Sequence, residues 1–202
     1  MAVAAQLIDT RPARFMAWFA LVFALATDVA YLLLKLGQGG VALDAYTVPF
    51  VAGYLLVMAA LLLVSLTRLG SPASRMPLRA AAAGGLLVLG VLAIFSIGVP
   101  LVIAGAMATG ATVRTLRGPF LTSSSLTAVA AAVVTVAVLV AGFEVTERII
   151  VCPGQGTVSG GGSGYVTGPY YFDCVNGRLN FHYGSCTSSA IDSRGQVTHP
   201  GC

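Results

Sequence analysis

Charge is scarce in this chain. Asp, Glu, Lys and Arg make up 9% of its 202 residues, whereas soluble domains carry about 25%. Hydrophobic residues make up 57%, and the mean hydropathy is +0.89. A chain of this length cannot hide so much apolar surface in its own core, which excludes an ordinary soluble domain. Lysine is nearly missing, with Lys35 alone among the basic residues, the others being arginine. That bias fits a GC-rich bacterial genome. The formal net charge of +4 does not indicate nucleic acid, because the arginines sit singly at the ends of apolar runs and form no patch.

No cysteine occurs before residue 152. All four, Cys152, Cys174, Cys186 and Cys202, fall in a polar, Gly-rich tail. An even number in such a segment indicates disulfides made in an oxidising compartment, not thiols held reduced in a cytoplasm. Nearest-flank pairing would join Cys152 to Cys174 and Cys186 to Cys202, one of three possible connectivities. CxxC and HxxxH pairs are both missing. A zinc site using these cysteines with His182 and His199, or a thiol–disulfide catalyst, therefore lacks its usual spacing. P-loop, GxSxG, HExxH and dinucleotide fingerprints are absent as well. The expectation is a protein with no catalytic residues, no metal and no cofactor.

What the chain does have is long apolar runs, at 15–36, 48–66, 80–113 and 126–147. A helix rises 1.5 Å per residue, so three of these suit a hydrocarbon core of about 30 Å. Pro49 lies in the first turn of the second run, where a missing N–H does no harm. As a single helix 80–113 would be about 50 Å long, too long for one span. Either it tilts and extends along the interface, or it folds back at "SIGVP", residues 96–100. There Gly98 permits a turn, and Pro100 disfavours helix at Val99 while starting a new helix.

Charge placement favours the fold-back. Arg11 and Arg14 precede the first run, Arg68, Arg75 and Arg79 lie between the second and third, and Arg114 and Arg117 follow 80–113. Residues 37–47 carry only Asp44. Cytoplasmic flanks collect Lys and Arg. With a hairpin of 80–97 and 100–113, every arginine cluster is cytoplasmic, and Asp44, Glu144 and the cysteines are outside. The first run resembles a signal peptide ending at Ala24-Leu25-Ala26, but its apolar character continues through Leu36, which favours a retained anchor. The predicted fold is an all-α transmembrane bundle of four to five segments in residues 1–150. An extracytoplasmic tail follows in 151–202, with the N-terminus cytoplasmic in a bacterial cell membrane.

Asp28 is the acidic residue deepest in a run, and Tyr31 and Lys35 follow it on the same helical face. An ionised carboxylate there costs about 2.5–3.5 kcal/mol, so it should be neutral, paired or facing water. A transport or channel role for Asp28, Tyr31 and Lys35 competes with a plainer account. In that account Lys35 snorkels to the interface and Asp28 is hydrogen-bonded inside the bundle. Glu144 and Arg148, four residues apart, suit an interfacial ion pair. Small residues such as Ala106 and Gly110 suit close helix packing.

In the tail, "PGQGTVSGGGSG" at 153–164 has the composition of a flexible linker. A β-hairpin is predicted at 170–183, because Asn176-Gly177 is the favoured two-residue turn pair. Its register puts Tyr170, Phe172, Leu179, Phe181 and Tyr183 on one face with Cys174, a candidate docking face. A lone hairpin is marginal in water, and disulfides would compensate. The expected partners are the lipid bilayer and a protein bound through the tail or the small-residue helices. Together these readings lead to an accessory or scaffold subunit, with a transporter component as the rival. An envelope redox or metal-binding protein using the Cys/His tail is the third reading.

Overall fold

A computed structural model of the chain describes residues 11–37, 46–67, 72–115, 121–146, 148–164, 166, 168–184, 190–191 and 197–198. Arg68, Arg117, Asp44, Cys186, Cys202 and His199 lie outside the described residues, and so does the expected second disulfide. The chain divides into two units, Met1–Gly39 with Val48–Leu139, and Gly40–Thr47 with Val140–Cys202.

Five helices dominate: α1 (Arg11–Gly37), α2 (Thr47–Leu66), α3 (Pro72–Leu92), α4 (Val99–Thr115) and α5 (Leu121–Thr146). By length and composition, all five are apolar enough to cross a membrane. Within the first unit α3 is central. A Cβ added at Gly85 would lie 2.6 Å from Met58 Sδ on α2, and one at Gly84 would lie 3.1 Å from Ala132 Cβ on α5. On a third side, a Cβ at Gly90 would stand 2.8 Å from the Val102 backbone nitrogen of α4. Small residues thus bring three neighbours up against the α3 backbone. α1 packs against α4, where a Cβ at Gly110 would stand 3.0 Å from Met16 Cε, and it buries a stripe of Ala13, Ala17, Ala20 and Ala24 completely.

Residues 80–113 do not form one helix. The chain reverses between α3 and α4, because Leu87 faces Gly105 while Gly90 faces Val102. The reversal is made by a π-helical turn, Ile94–Gly98, in which the Gly98 N–H donates to the Ala93 carbonyl at 2.8 Å. Any Cβ at Gly98 would collide with the carbonyls of Gly90 and Ala93, so only glycine fits. Two details depart from the sequence reading. α3 ends at Leu92, not 97, and Val99 is already helical (φ −57°, ψ −51°) despite preceding Pro100. The wide π turn delivers Val99 in helical geometry, so the steric preference before proline yields to the closure of the hairpin.

A second departure concerns the arginines expected between the spans. Arg75 and Arg79 lie inside α3, which starts at Pro72. The apolar run begins only at residue 80, but a helix can start earlier with a proline at its first position.

The second unit holds β1 (Thr157–Gly164), β2 (Gly168–Val175) and β3 (Arg178–Tyr183) in an antiparallel sheet of that order. A further pair, β4 (Ala190–Ile191) and β5 (Val197–Thr198), forms a separate small sheet. The β2–β3 register runs from Val175↔Arg178 to Tyr170↔Tyr183 around a turn with Asn176 at φ 48° and Gly177 at φ 81°. Both central residues have positive φ, as a type I′ turn requires. The expected flexible linker is corrected here. Most of 153–164 is strand β1, paired residue for residue with β2. Its glycines serve the pairing, since a Cβ at Gly160 would lie 2.7 Å from the Phe172 ring and one at Gly162 equally close to Tyr170 Cζ. The rings lie over bare backbone, which a side chain would prevent. The predicted two-stranded hairpin is thus part of a three-stranded sheet.

Candidate functional site

Two places collect the residues that the sequence singled out. The first is the aromatic face of the β-sheet. Alternation along the strands puts Cys174, Phe172 and Tyr170 on one face with Leu179, Phe181 and Tyr183. The Tyr170 and Phe181 rings stack at 5.2 Å, and Phe181 meets Tyr183 edge-on at 5.0 Å. β1 extends this face with Val158, Gly160 and Gly162. The face is closed on β2 at Cys174 and open along β3, its edge strand. Cys174 is buried and bonded to Cys152, while Leu179 is 39% and Tyr183 66% exposed. Cys152–Cys174 is the pairing expected from the sequence.

The opposite face is polar. Tyr171 donates its hydroxyl hydrogen to Asp173 Oδ1 at 2.6 Å. Burial and that hydrogen bond push the Tyr171 phenol above its ordinary value, while a bond with Ser159 pulls it partly back. His182 is exposed on this face, across from Tyr171.

The sheet is tied to the end of α5. Glu144, 8% exposed, accepts a 2.6 Å hydrogen bond from the Val166 N–H in the β1–β2 loop. Its second oxygen pairs with Arg148 at 3.0 Å. The expected i,i+4 pair is therefore present, and it has a third member that the sequence did not reveal.

The second place is in the helical unit. Asp28 is 3% exposed, and its Oδ1 has no hydrogen-bond partner among the described residues. Tyr31 and Lys35, on the same helical face, are only half-buried. The plainer account had Asp28 hydrogen-bonded within the bundle, and for Oδ1 that bond is missing among the described residues.

Sequence reasoning placed Arg79 between the spans and missed that it is fully buried, with its Nε 3.4 Å from Ser65 Oγ on α2. It also missed the bond of 3.1 Å from the Tyr54 hydroxyl to the Thr135 carbonyl, which joins α2 to α5. Beside that bond runs an apolar groove of about 620 Å³ lined by Phe50, Val57, Leu61, Val134 and Val138. Neither polar contact had a signal in spacing, because each joins side chains or backbone of two different helices, whose packing no local pattern encodes. Among the described residues no group of three or more His, Cys, Asp or Glu side chains could hold a metal ion. No known protein family, curated protein or solved structure matches the chain.

Proposed function

We propose that the chain is a non-enzymatic, polytopic protein of a bacterial cell membrane, an accessory or scaffold subunit that presents its C-terminal module outside the cell to a partner protein. In this reading α1 to α5 cross the bilayer, the N-terminus is cytoplasmic, and residues 151–202 are extracytoplasmic. Support comes from five sufficiently apolar helices followed by a disulfide-bonded sheet. The observation that carries the docking role is the half-open aromatic face, closed at Cys174 and exposed at Leu179 and Tyr183. Aromatic residues on a rigid strand offer a large contact area at low entropic cost.

The test is purification from mild detergent with identification of co-purifying proteins. A stoichiometric partner is expected, and Leu179→Ser with Tyr183→Ser should release it while the disulfide persists. No partner, or one indifferent to these changes, would reject the scaffold role. Orientation is tested separately: a cysteine at Arg117 should resist an impermeant reagent in intact cells, and strong labelling overturns the topology.

One observation favours a second reading, a small transporter or channel component. The buried Asp28 Oδ1 lacks a hydrogen bond among the described residues, and a carboxyl within a membrane is costly to keep and so a candidate functional group. Asp28→Asn separates the two readings. The scaffold tolerates it in folding and assembly, whereas a proton-coupled carrier loses flux at normal expression.

A further inference from the structure

We infer that strand β1 is a self-association edge, and that two copies of this chain join antiparallel through it into a continuous six-stranded sheet.

The hydrogen-bonding pattern defines the edge. In an antiparallel pair, residues alternate between those bonded to the neighbour and those pointing away. Asn176 N–H donates to the Gly156 carbonyl. Continued through the register, this turns Val158, Gly160, Gly162 and Gly164 toward β2. Thr157, Ser159, Gly161 and Ser163 therefore direct their N–H and C=O groups to the outer edge. Among the described residues, no strand or loop pairs with those groups.

Natural edge strands are usually blunted by charge, proline or a bulge. β1 has none of these: its sequence is TVSGGGSG and its register is unbroken. β3, at the opposite edge, carries Arg178 and His182. Of the two edges of this sheet, the unprotected one is β1.

The occupant follows from the sequence of the edge itself. Ser159-Gly160-Gly161-Gly162-Ser163 reads the same in both directions. A two-fold axis at Gly161 sets that residue against its own copy and Ser159 against Ser163 of the second copy. All three residues point outward, so this register aligns open donors with open acceptors. Each such pair exchanges two bonds, about six in all across the axis. The isologous arrangement is self-complementary, as a closed dimer requires. Three adjacent glycines offer a foreign strand almost no side chains to recognise, whereas symmetry supplies matched serines to a second copy. The Phe172 and Tyr170 rings already overlie Gly160 and Gly162. Pairing therefore merges two aromatic faces into one. This inference uses the edge of the sheet, not its face, and stands apart from the scaffold reading.

The full chain in mild detergent, at tens of micromolar, is the test material. Native mass spectrometry should find a dimer. Ser159→Pro removes one outward N–H without touching the β1–β2 backbone bonds, so it should give monomers with Cys152–Cys174 intact. A second measurement is independent of proline's effect on the strand. Differently tagged Ser159→Cys and Ser163→Cys chains, mixed and mildly oxidised, should form a mixed dimer bridged between positions 159 and 163. Each variant alone should form no such bridge. A monomeric wild type, a dimer unaffected by Ser159→Pro, or cross-links in another register would overturn the proposal. So would an unrelated protein strand on β1.

Discussion

Glu144 Oε1 sits 2.6 Å from the Val166 backbone nitrogen, twenty-two residues further along the chain, and accepts a hydrogen bond from its N–H. This bond clamps the β1–β2 loop to the last turns of α5, with Arg148 holding the other carboxylate oxygen. A nearly buried carboxylate is tolerable only when its oxygens are so engaged. Glu144→Ala should free the loop at a cost of about 1–3 kcal/mol, the range for orphaning a buried partner. Glu144→Gln keeps an acceptor for Val166 and should cost less. Amide exchange at Val166 checks both: rapid exchange in the alanine variant, and slower exchange in the glutamine variant.

Reduction of Cys152–Cys174 should loosen the sheet and leave the helices intact. The cysteines are 22 residues apart, for which the chain-entropy account gives about 3 kcal/mol. The helices draw on internal hydrogen bonds and packing that do not involve the bridge. Limited proteolysis with and without reductant is the measurement, with new cuts expected between residues 153 and 184 and helical circular dichroism unchanged.

The reversal between α3 and α4 should depend on one missing methyl group. Gly98→Ala places a Cβ against backbone, which cannot swing aside; overpacking of this kind costs about 1–3 kcal/mol. Gly53→Ala is the matched control, since its Cβ would have nothing within 4 Å. Thermal unfolding in detergent should fall for the first variant and hold for the second.

Tyr171 gives the sheet a dependence on alkaline pH. Burial, reinforced by the bond to Asp173, raises its folded value above the ordinary phenol at about 10. The fold thus favours the neutral phenol. Its contribution is complete below pH of about 10 and is lost as pH rises through the folded value. Tyr171→Phe should abolish this loss. In a nuclear magnetic resonance titration of labelled tyrosines, the Tyr171 ring should titrate above free tyrosine, and a midpoint at or below free tyrosine would contradict the assignment.

The helices were legible because the apolar runs are long and the breakers few, and the reversal was legible because Gly98 and Pro100 interrupt the longest run. The β2–β3 register followed from Asn176-Gly177 alone, since a two-residue turn leaves one alignment. β1 was hidden because its glycines and serines have the composition of a linker. What makes them a strand is a neighbour, the Phe172 and Tyr170 rings that need bare backbone beneath them. Arg79 was hidden for a related reason. Hydropathy marks where an apolar run starts, not where a helix starts, and the Ser65 hydroxyl that receives Arg79 belongs to the helix before it. The Glu144 contact with Val166 likewise joins positions 22 residues apart, beyond the reach of any local capping pattern.

The tip between α3 and α4 bears on how the protein is made. Ile94, Phe95 and Ser96 project from the turn, and Phe95 is wholly exposed. At 1.5 Å per residue α3 is about 31 Å long and α4 about 26 Å. The connection between them, the π turn, is too short to form a polar loop of its own. On the membrane reading proposed above, the two arms form a ready-made helical hairpin. On that reading the two arms would enter lipid as a pair, behind a tip that exposes Ile94 and Phe95.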